Sequence, residues 1–594
     1  MNSPHDIKGT LSKHRKVSFL SRVEYLLERF SPSERLMLYV LSVLLAGSTL
    51  ALLAGMNAAV SVTVPTDGGS LTEGVLGPAR FVNPVLSISG ADEDLSALVY
   101  SGLMRSTPDG TVVSDLASNF DVSEDGTTYT FTIRTEALFH DGEAVTSSDV
   151  RFTIQKIQDP AIKSPRRADW EGVTVSTPDS HTVVFKLPRA YAPFLQNTTL
   201  GILPEHLWHD TKAEDFPFHA LNTHPVGSGP FAIDSVDTDT SGSATRFVLS
   251  AFRNYALGRP HLNSFVMRIY PSDDTLERAF NRQEIDAIAG IPASALKDLS
   301  ATGAHVMRIS LPRVFGVFFN QGHAVVLADS SVREALDAAV DKHRLVDIVL
   351  GGYGEPLTGP IPPGVLDRET ISIELASTTP ISTAYTQETL DKARTILSRG
   401  GWKYDEATGT WTKNKQQLAF TLATGDAPEL TATANAVATA WRQAGAKVTM
   451  QVYPLSELNI NVIRPREYDA VLFGEVVGRE LDLFAFWHSS QRNDPGLNLA
   501  LYATVKADTL LSQARATTDK GARDKLYREF ADLIEKEKPA VFLYAPEFLY
   551  AVPRDMHGIE LGALTTPAER FLNVHEWYRD TERVWNIFTN ESAE

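Results

Sequence analysis

No cysteine occurs anywhere in the 594 residues. That absence excludes disulfides, thiolate zinc sites and cysteine nucleophiles, and it suits an exported chain without fixing its compartment. Basic excess is missing as well: 55 Lys and Arg stand against 73 Asp and Glu, a formal net charge of −18. Phosphate binding needs clustered cations, so nucleic acid is not an expected partner. The G-x-x-x-x-G-K-S/T phosphate loop is absent, which excludes ATP hydrolysis by this chain, and so is H-E-x-x-H. Other fragments only imitate chemistry. Gly227-Ser-Gly229 lacks the Lys and the strand–helix context of a phosphate loop and reads as a turn. Ser294-Ala-Leu-Lys297 matches S-x-x-K without S-D-N or K-T-G partners, and reads as a helix turn. Asp237, Asp239, Ser241 and Gly242 faintly follow a calcium loop, but Val248 stands where a bidentate Glu is required. His140-Asp141 reads as a turn. His206 and His209, beside Glu205 and Asp210, have no third histidine near and read as surface residues. No metal and no cofactor is expected.

One long stretch lacks charge altogether. From Leu36 to Thr66 there is no charged residue, and Leu36–Val62 is rich in Leu, Ala and Val. About 20 apolar residues cross a bilayer as a helix, so 36–62 is long enough for a transmembrane anchor. Residues 1–35 carry Lys8, Lys13, Arg15, Lys16, Arg22, Arg29 and Arg35 against Asp6, Glu24, Glu28 and Glu34. The positive-inside rule puts this basic tail in the cytoplasm and the bulk of the chain outside, on a single-pass membrane protein. A signal peptide cut near Ala58-Ala59 is the competing reading. The n-region is about twice the usual length, and the apolar run exceeds the 7–15 residues of an h-region, which favours an uncleaved anchor. The tail holds +3 of the total of −18, leaving −21 on the remainder. That charge chiefly promotes solubility and is congenial to cationic or zwitterionic ligands.

What remains is an ordinary globular composition, 43% hydrophobic and 22% charged, too long for one core. Phe120 and Val122 alternate with polar neighbours, Asp125-Gly126 supplies a tight turn, and Tyr129, Phe131 and Ile133 alternate with Thr128, Thr130 and Thr132. Period-2 alternation about such a dipeptide predicts a half-buried hairpin. A turn at His140-Asp141-Gly142 follows, and Thr146 with Asp149 has capping-box spacing for a helix that stops before Pro160. Ser331 and Glu334 suggest another capping box, and Gly351-Gly352 a helix end. Helix and strand then alternate through Leu390–Ser398, Thr431–Ala444, Val448–Tyr453, Asp469–Phe473 and Arg523–Glu537, which argues for α/β layers. Val541–Tyr544 and Phe548–Val552 are apolar runs on either side of Pro546.

The hairpin, His-Asp-Gly turn and capped helix of residues 109–159, in that order, resemble the signature segment of the family-5 extracellular solute-binding proteins. Further segments follow in the same family order. Asn83-Pro84 and Leu98–Leu103 come first, then Pro225–Phe231, Asn254-Tyr255, Arg259-Pro260 and Arg278–Ile288. Phe318–Asn320, Val332–Leu336, Ala339–Lys342, the Gly351–Pro363 loop, Ala393–Trp402 and Tyr468–Ala470 complete the series, roughly over residues 70–555. The resemblance implies an α/β, two-lobed, periplasmic-binding-protein-like fold (type II, cluster C) with an extra subdomain in the first lobe. The implied division is lobe I over 63–312 with an insertion at about 84–223, lobe II over 313–545, and a return to lobe I over 546–594. Crossings between lobes are expected near Phe315–Asn320 and Ala540–Val552.

By the same resemblance the chain is a tethered receptor that captures a short peptide or similar small polar solute and delivers it to ABC permease subunits, without catalysis. A ligand sensor or scaffold on the same fold, motivated by the long basic tail, is the alternative; a carboxylate-dependent hydrolase is a further one. Candidate ligand-binding residues are Thr72, Glu73 and Gly74 on the first strand, Tyr100, and Phe319 with Asn320 at the crossing. Others come from Gly474–Trp487, where peptide receptors place an Asp for the ligand ammonium. Here Glu475, Val476 and Val477 replace the usual aromatic, Asp-containing run. Glu475, Glu480 or Asp482 could supply the missing acid, and Phe484, Phe486 and Trp487 could stack on a ligand or belong to the core.

Overall fold

The computed structural model describes residues 30–291, 303–366, 383–478, 481–562 and 564–585. Residues 1–29 of the basic tail, Ser294–Lys297 and Glu480 lie outside this range. The chain divides into two units, Met1–Thr66 with Thr581–Glu594, and Asp67–Asp580.

In the first unit a 29-residue helix, Pro32–Val60, begins with Pro at its first position, and the Ser31 N–H donates to the Glu34 carboxylate at 2.8 Å. At 1.5 Å per residue it is about 43 Å long, more than the ~30 Å of bilayer hydrocarbon. It is long and apolar enough to cross a membrane. Directly after it, Ser61–Pro65 pairs antiparallel with Thr581–Trp585, Ser61 opposite Trp585 and Pro65 opposite Thr581.

The second unit is built on a twelve-stranded mixed sheet whose central member is the 13-residue strand Ala540–Val552. Its first half pairs with Arg313–Phe319, and its second half with His305–Ser310 and Ala287–Ala289. Lys447–Tyr453, Ala419–Gly425 and Ala470–Val476 extend the sheet on one side. Ser70–Leu76, Ser264–Tyr270, Ala244–Ala251 and Phe231–Thr238 extend it on the other. Separate cores form on the two sides. One draws on residues 71–311 and 548–577, the others on residues 314–545. The apolar runs on either side of Pro546 form one continuous strand, over the span Ala540–Val552 read from the sequence as a crossing. Proline donates no hydrogen bond, and it stands where the strand changes neighbours, between the Phe315–Tyr544 and Ser310–Glu547 pairs.

The hairpin forms as its alternation dictates: Ala117–Val122 pairs with Thr128–Ile133, Phe120 opposite Phe131, around Gly126 at φ +66°. Thr182–Lys186 and Thr174–Ser176 complete a four-stranded sheet. Its buried face sets Phe131 edge-to-face with Phe185 at 5.7 Å, and Trp170 meets Phe194 in the same way at 5.6 Å. The helix Ser147–Gln158 starts after Thr146, whose N–H donates to Asp149 at 2.8 Å, and stops before Pro160. One cap differs from expectation. The helix Ser330–Ala339 is capped by Asp329 instead of Ser331, because the Asp329 carboxylate accepts from Ser331 N–H at 2.9 Å and also holds Lys413 at 2.6 Å.

Candidate functional site

The helix Gly90–Val99 ends against the segment Pro225–Phe231, and the glycines of that segment are what permit the approach. A Cβ on Gly227 would lie under 3.0 Å from the Val99 carbonyl, and one on Gly229 at 2.6 Å from its carbon. Gly229 N–H donates to Val99 O at 2.8 Å. His140 locks the same loop from behind. Its N–H donates to Gly227 O, its Nδ1 accepts from Gly227 N–H at 3.2 Å, and its Nε2–H points to Gly229 O at 3.1 Å. Burial holds this imidazole neutral, down to about 4. Three sequence motifs thus converge on the backbone that carries Tyr100. Alanine at Gly227 is expected to cost at least about 1–3 kcal/mol, read as a lowered melting temperature, because the clash is with backbone and not a movable side chain.

In front of that helix end lies a cavity of about 410 Å³, within the usual size range for small-ligand pockets. Its inner wall comes from Ser96, Tyr100 and Ser101 at the helix end, Arg105, Asp115 and Tyr255. Arg105 and Asp115 are brought together by Met104–Ser106 pairing with Val112–Ser114 around the Pro108-Asp109-Gly110 turn. The segment Thr565–His575 closes another side, and Arg166 and Asp169 stand at the exposed edge. Tyr191 and Gly478 reach in from opposite sides, Gly478 from the 314–545 side of the sheet.

The inner wall is rich in unused polar atoms. Ser96 Oγ, Tyr100 Oη, Ser101 Oγ, Arg105 Nε, Asp115 Oδ1 and Thr565 Oγ1 are buried without a hydrogen-bond partner among the described residues. Ser101 lies beside Asp115 and Tyr255 without reaching bonding geometry to either. Burial pushes the Asp115 carboxyl up to about 7, against the pull of Arg105 and Arg134. Burial also raises the Tyr100 phenol and holds His575 down at about 4. Such a raised acid contributes stability that is fully present below its ordinary value of 3.8 and lost as pH rises through 7. Asp115→Asn removes that loss. Its melting temperature is expected to gain on the native protein steadily between about pH 4 and pH 7 and to run parallel above.

Of the ten candidates from the sequence, Tyr100 lines this cavity and the other nine lie outside it. Thr72 N–H donates to Asp286 at 2.9 Å within the sheet. Glu73 is fully buried, held by Arg570 at 2.7 Å and by the Tyr550 hydroxyl at 2.8 Å. A Cβ on Gly74 would meet Leu276 and Ile285 under 3.0 Å, so this glycine serves packing. Phe319 is core, 6.4 Å from Trp441. Asn320 uses its amide on Arg466 O at 3.0 Å and on His323 N–H at 3.1 Å. Glu475 is buried with Oε1 unpartnered among the described residues. Trp487 is fully buried beside Phe542 at 5.9 Å. Asp482 accepts from Arg515 at 2.8 Å, and Phe484 lies under the same guanidinium at 4.4 Å. Arg515 in turn sits 5.4 Å from the ring of Tyr191, so Asp482 and Phe484 reach the cavity wall only through it. Arg105, Asp115 and His575 carried no sequence signal. Tyr255 sat inside a motif noted for family order alone.

Comparison with known proteins agrees with this architecture. The model of the bacterial extracellular solute-binding proteins, family 5 (middle), matches residues 111–522. The oligopeptide-binding protein AppA of Bacillus subtilis is 25% identical, over 91% of this chain and 97% of its own. Protein XP55 of Streptomyces lividans is 28% identical, over 86% of this chain and 91% of its own. The structure of Bacillus subtilis AppA in complex with a nonapeptide superposes with a TM-score of 0.65, covering 87% of this chain and all of that one. The fold is therefore that of the periplasmic binding proteins, and the chain belongs to the bacterial extracellular solute-binding proteins of family 5.

Proposed function

We propose that this protein captures a short peptide or similar small polar solute in the cavity beside Tyr100 and hands it to an ABC permease. The observation that carries the reading is the set of buried, unpartnered polar atoms around a 410 Å³ space in a family-5 fold. Buried polar atoms without partners are costly, and a bound solute supplies the missing partners. Relatives named for oligopeptide, D,D-dipeptide and glutathione binding support the ligand class. Binding is non-covalent and shifts the lobes toward a closed form that docks on the permease. The strand Ala540–Val552, shared by both sides of the sheet, is where such a motion bends. The Pro32–Val60 helix stays uncleaved as the anchor, with the basic tail in the cytoplasm and the rest outside the cell.

Pools of di- and tripeptides added to the soluble part are expected to raise its melting temperature and shrink its radius in solution scattering, with Kd values of about 1 μM or tighter. Neither change with any pool would remove the peptide reading. Intact-mass analysis of the membrane-extracted protein tests the anchor: a species that begins after residue 58 would overturn it.

A further inference from the structure

The inner wall of the cavity carries an acid and a cation, Asp115 and Arg105, and of the cations acting on Asp115, Arg105 has the stronger pull. Around them stand hydroxyls that can either donate or accept. Ser96, Tyr100, Ser101 and Thr565 each leave their oxygen unpartnered, as do Asp115 at Oδ1 and Arg105 at Nε. The nearby imidazole of His575 adds no charge, being buried and neutral.

We infer that this inner wall selects a neutral hydrogen-bonding group of the ligand, a carboxamide or hydroxyl, over a charged or apolar group of the same size. The inference rests on the solute-binding reading above and adds its selectivity. An ammonium placed against Asp115 meets Arg105 next to it, and a carboxylate placed against Arg105 meets Asp115. Either ion gives up its water without gaining an uncompensated counter-charge. A carboxamide carries both a donor and an acceptor, so its N–H groups can serve the Asp115 carboxylate and its oxygen can serve the Arg105 guanidinium. An isobutyl group fills the space and leaves the orphaned atoms unpaired, and sites built to hydrogen-bond reject such analogues strongly.

The test uses tripeptides of alanine in which one residue is replaced by Gln, Glu, Lys or Leu, at each position in turn. Binding is measured by calorimetry at about pH 8, above the Asp115 titration. At one position the Gln peptide is expected to bind at least about tenfold tighter than its Glu, Lys and Leu counterparts. Changing the wall changes the preference in opposite directions. Asp115→Asn takes away the acid beside Arg105 and is expected to move selectivity toward Glu; Arg105→Met leaves Asp115 with the weaker pull of Arg134 alone and moves it toward Lys. Native protein that binds the series without favouring Gln at any position overturns the inference while leaving the receptor reading intact. So does a pair of folded variants with unchanged selectivity. Failure of every tripeptide to bind removes the receptor reading for peptides, and this inference with it.

Discussion

Arg570→Ala is expected to destabilise the protein by about 3–5 kcal/mol and to abolish solute binding in the same step. Arg570 is fully buried. Its guanidinium makes a bidentate bond to Asp94, both arms at 2.6 Å, and a bond from Nε to Glu73 at 2.9 Å. It also bonds Pro567 O at 2.7 Å and lies 4.0 Å over the Phe571 ring. One cation thus faces two carboxylates. Burial pushes Glu73 above its ordinary range against the pull of Arg570. Burial would lower the guanidinium, but Asp94 and Glu73 outweigh it and keep it charged. Removing the arginine leaves two buried acids without a counter-ion, a far larger penalty than the pair's net worth. Binding goes with it because Arg570 is the tie between the Thr565–His575 wall of the cavity, the first strand through Glu73 and the helix Gly90–Val99 through Asp94. Urea denaturation read beside peptide calorimetry checks both effects. Arg570→Met combined with Glu73→Gln and Asp94→Asn removes all three charges and is expected to recover most of the loss. A loss below about 1 kcal/mol in the single variant would show that the network holds nothing in place.

Arg570 also shows where legibility in the sequence ended. Local features were readable because their causes are local. Alternation about Asp125-Gly126 gives the hairpin, the Thr146 and Asp149 pair gives the helix start, and the apolar runs after Ala540 give the shared strand. Errors arose where a distant partner decided the outcome. Asp329 caps the helix in place of Ser331, and the same carboxylate also binds Lys413, far along the chain. Glu73 stands on a strand that the family resemblance turns toward the ligand, but Arg570 and Tyr550, both far along the chain, close around it and bury it. Tyr100 was reachable through its motif. Asp115 and Arg105 were not, since lone charged residues in or beside a short strand read as solvent-facing until the distant Thr565–His575 segment completes the cavity around them.

Glu475→Gln is expected to stabilise the protein at neutral pH, by about 2 kcal/mol or more, and to leave solute binding unchanged. The strand Ala470–Val476 alternates Val471, Phe473 and Glu475 on one face, and that face packs into the core with Phe318, Val314 and Trp487. Period-2 geometry therefore carries a carboxyl into an apolar cluster. Its Oε1 finds no partner among the described residues. Burial alone pushes the group well above its ordinary 4.5. An acid raised in this way contributes stability that is fully present below about 4.5 and is lost as pH rises through its elevated folded value. The melting temperature of the Gln variant should thus exceed that of the native protein by an amount that grows with pH from about 4.5 upward, since an amide carries no charge to desolvate. The alternative role, an acid that meets a ligand ammonium, makes the opposite prediction. Glu475→Gln would then cost at least about tenfold in affinity for cationic peptides. The two outcomes are separated by one denaturation series and one titration on the same variant. The position of Glu475, one face of a strand away from solvent and outside the lining of the cavity, favours the first.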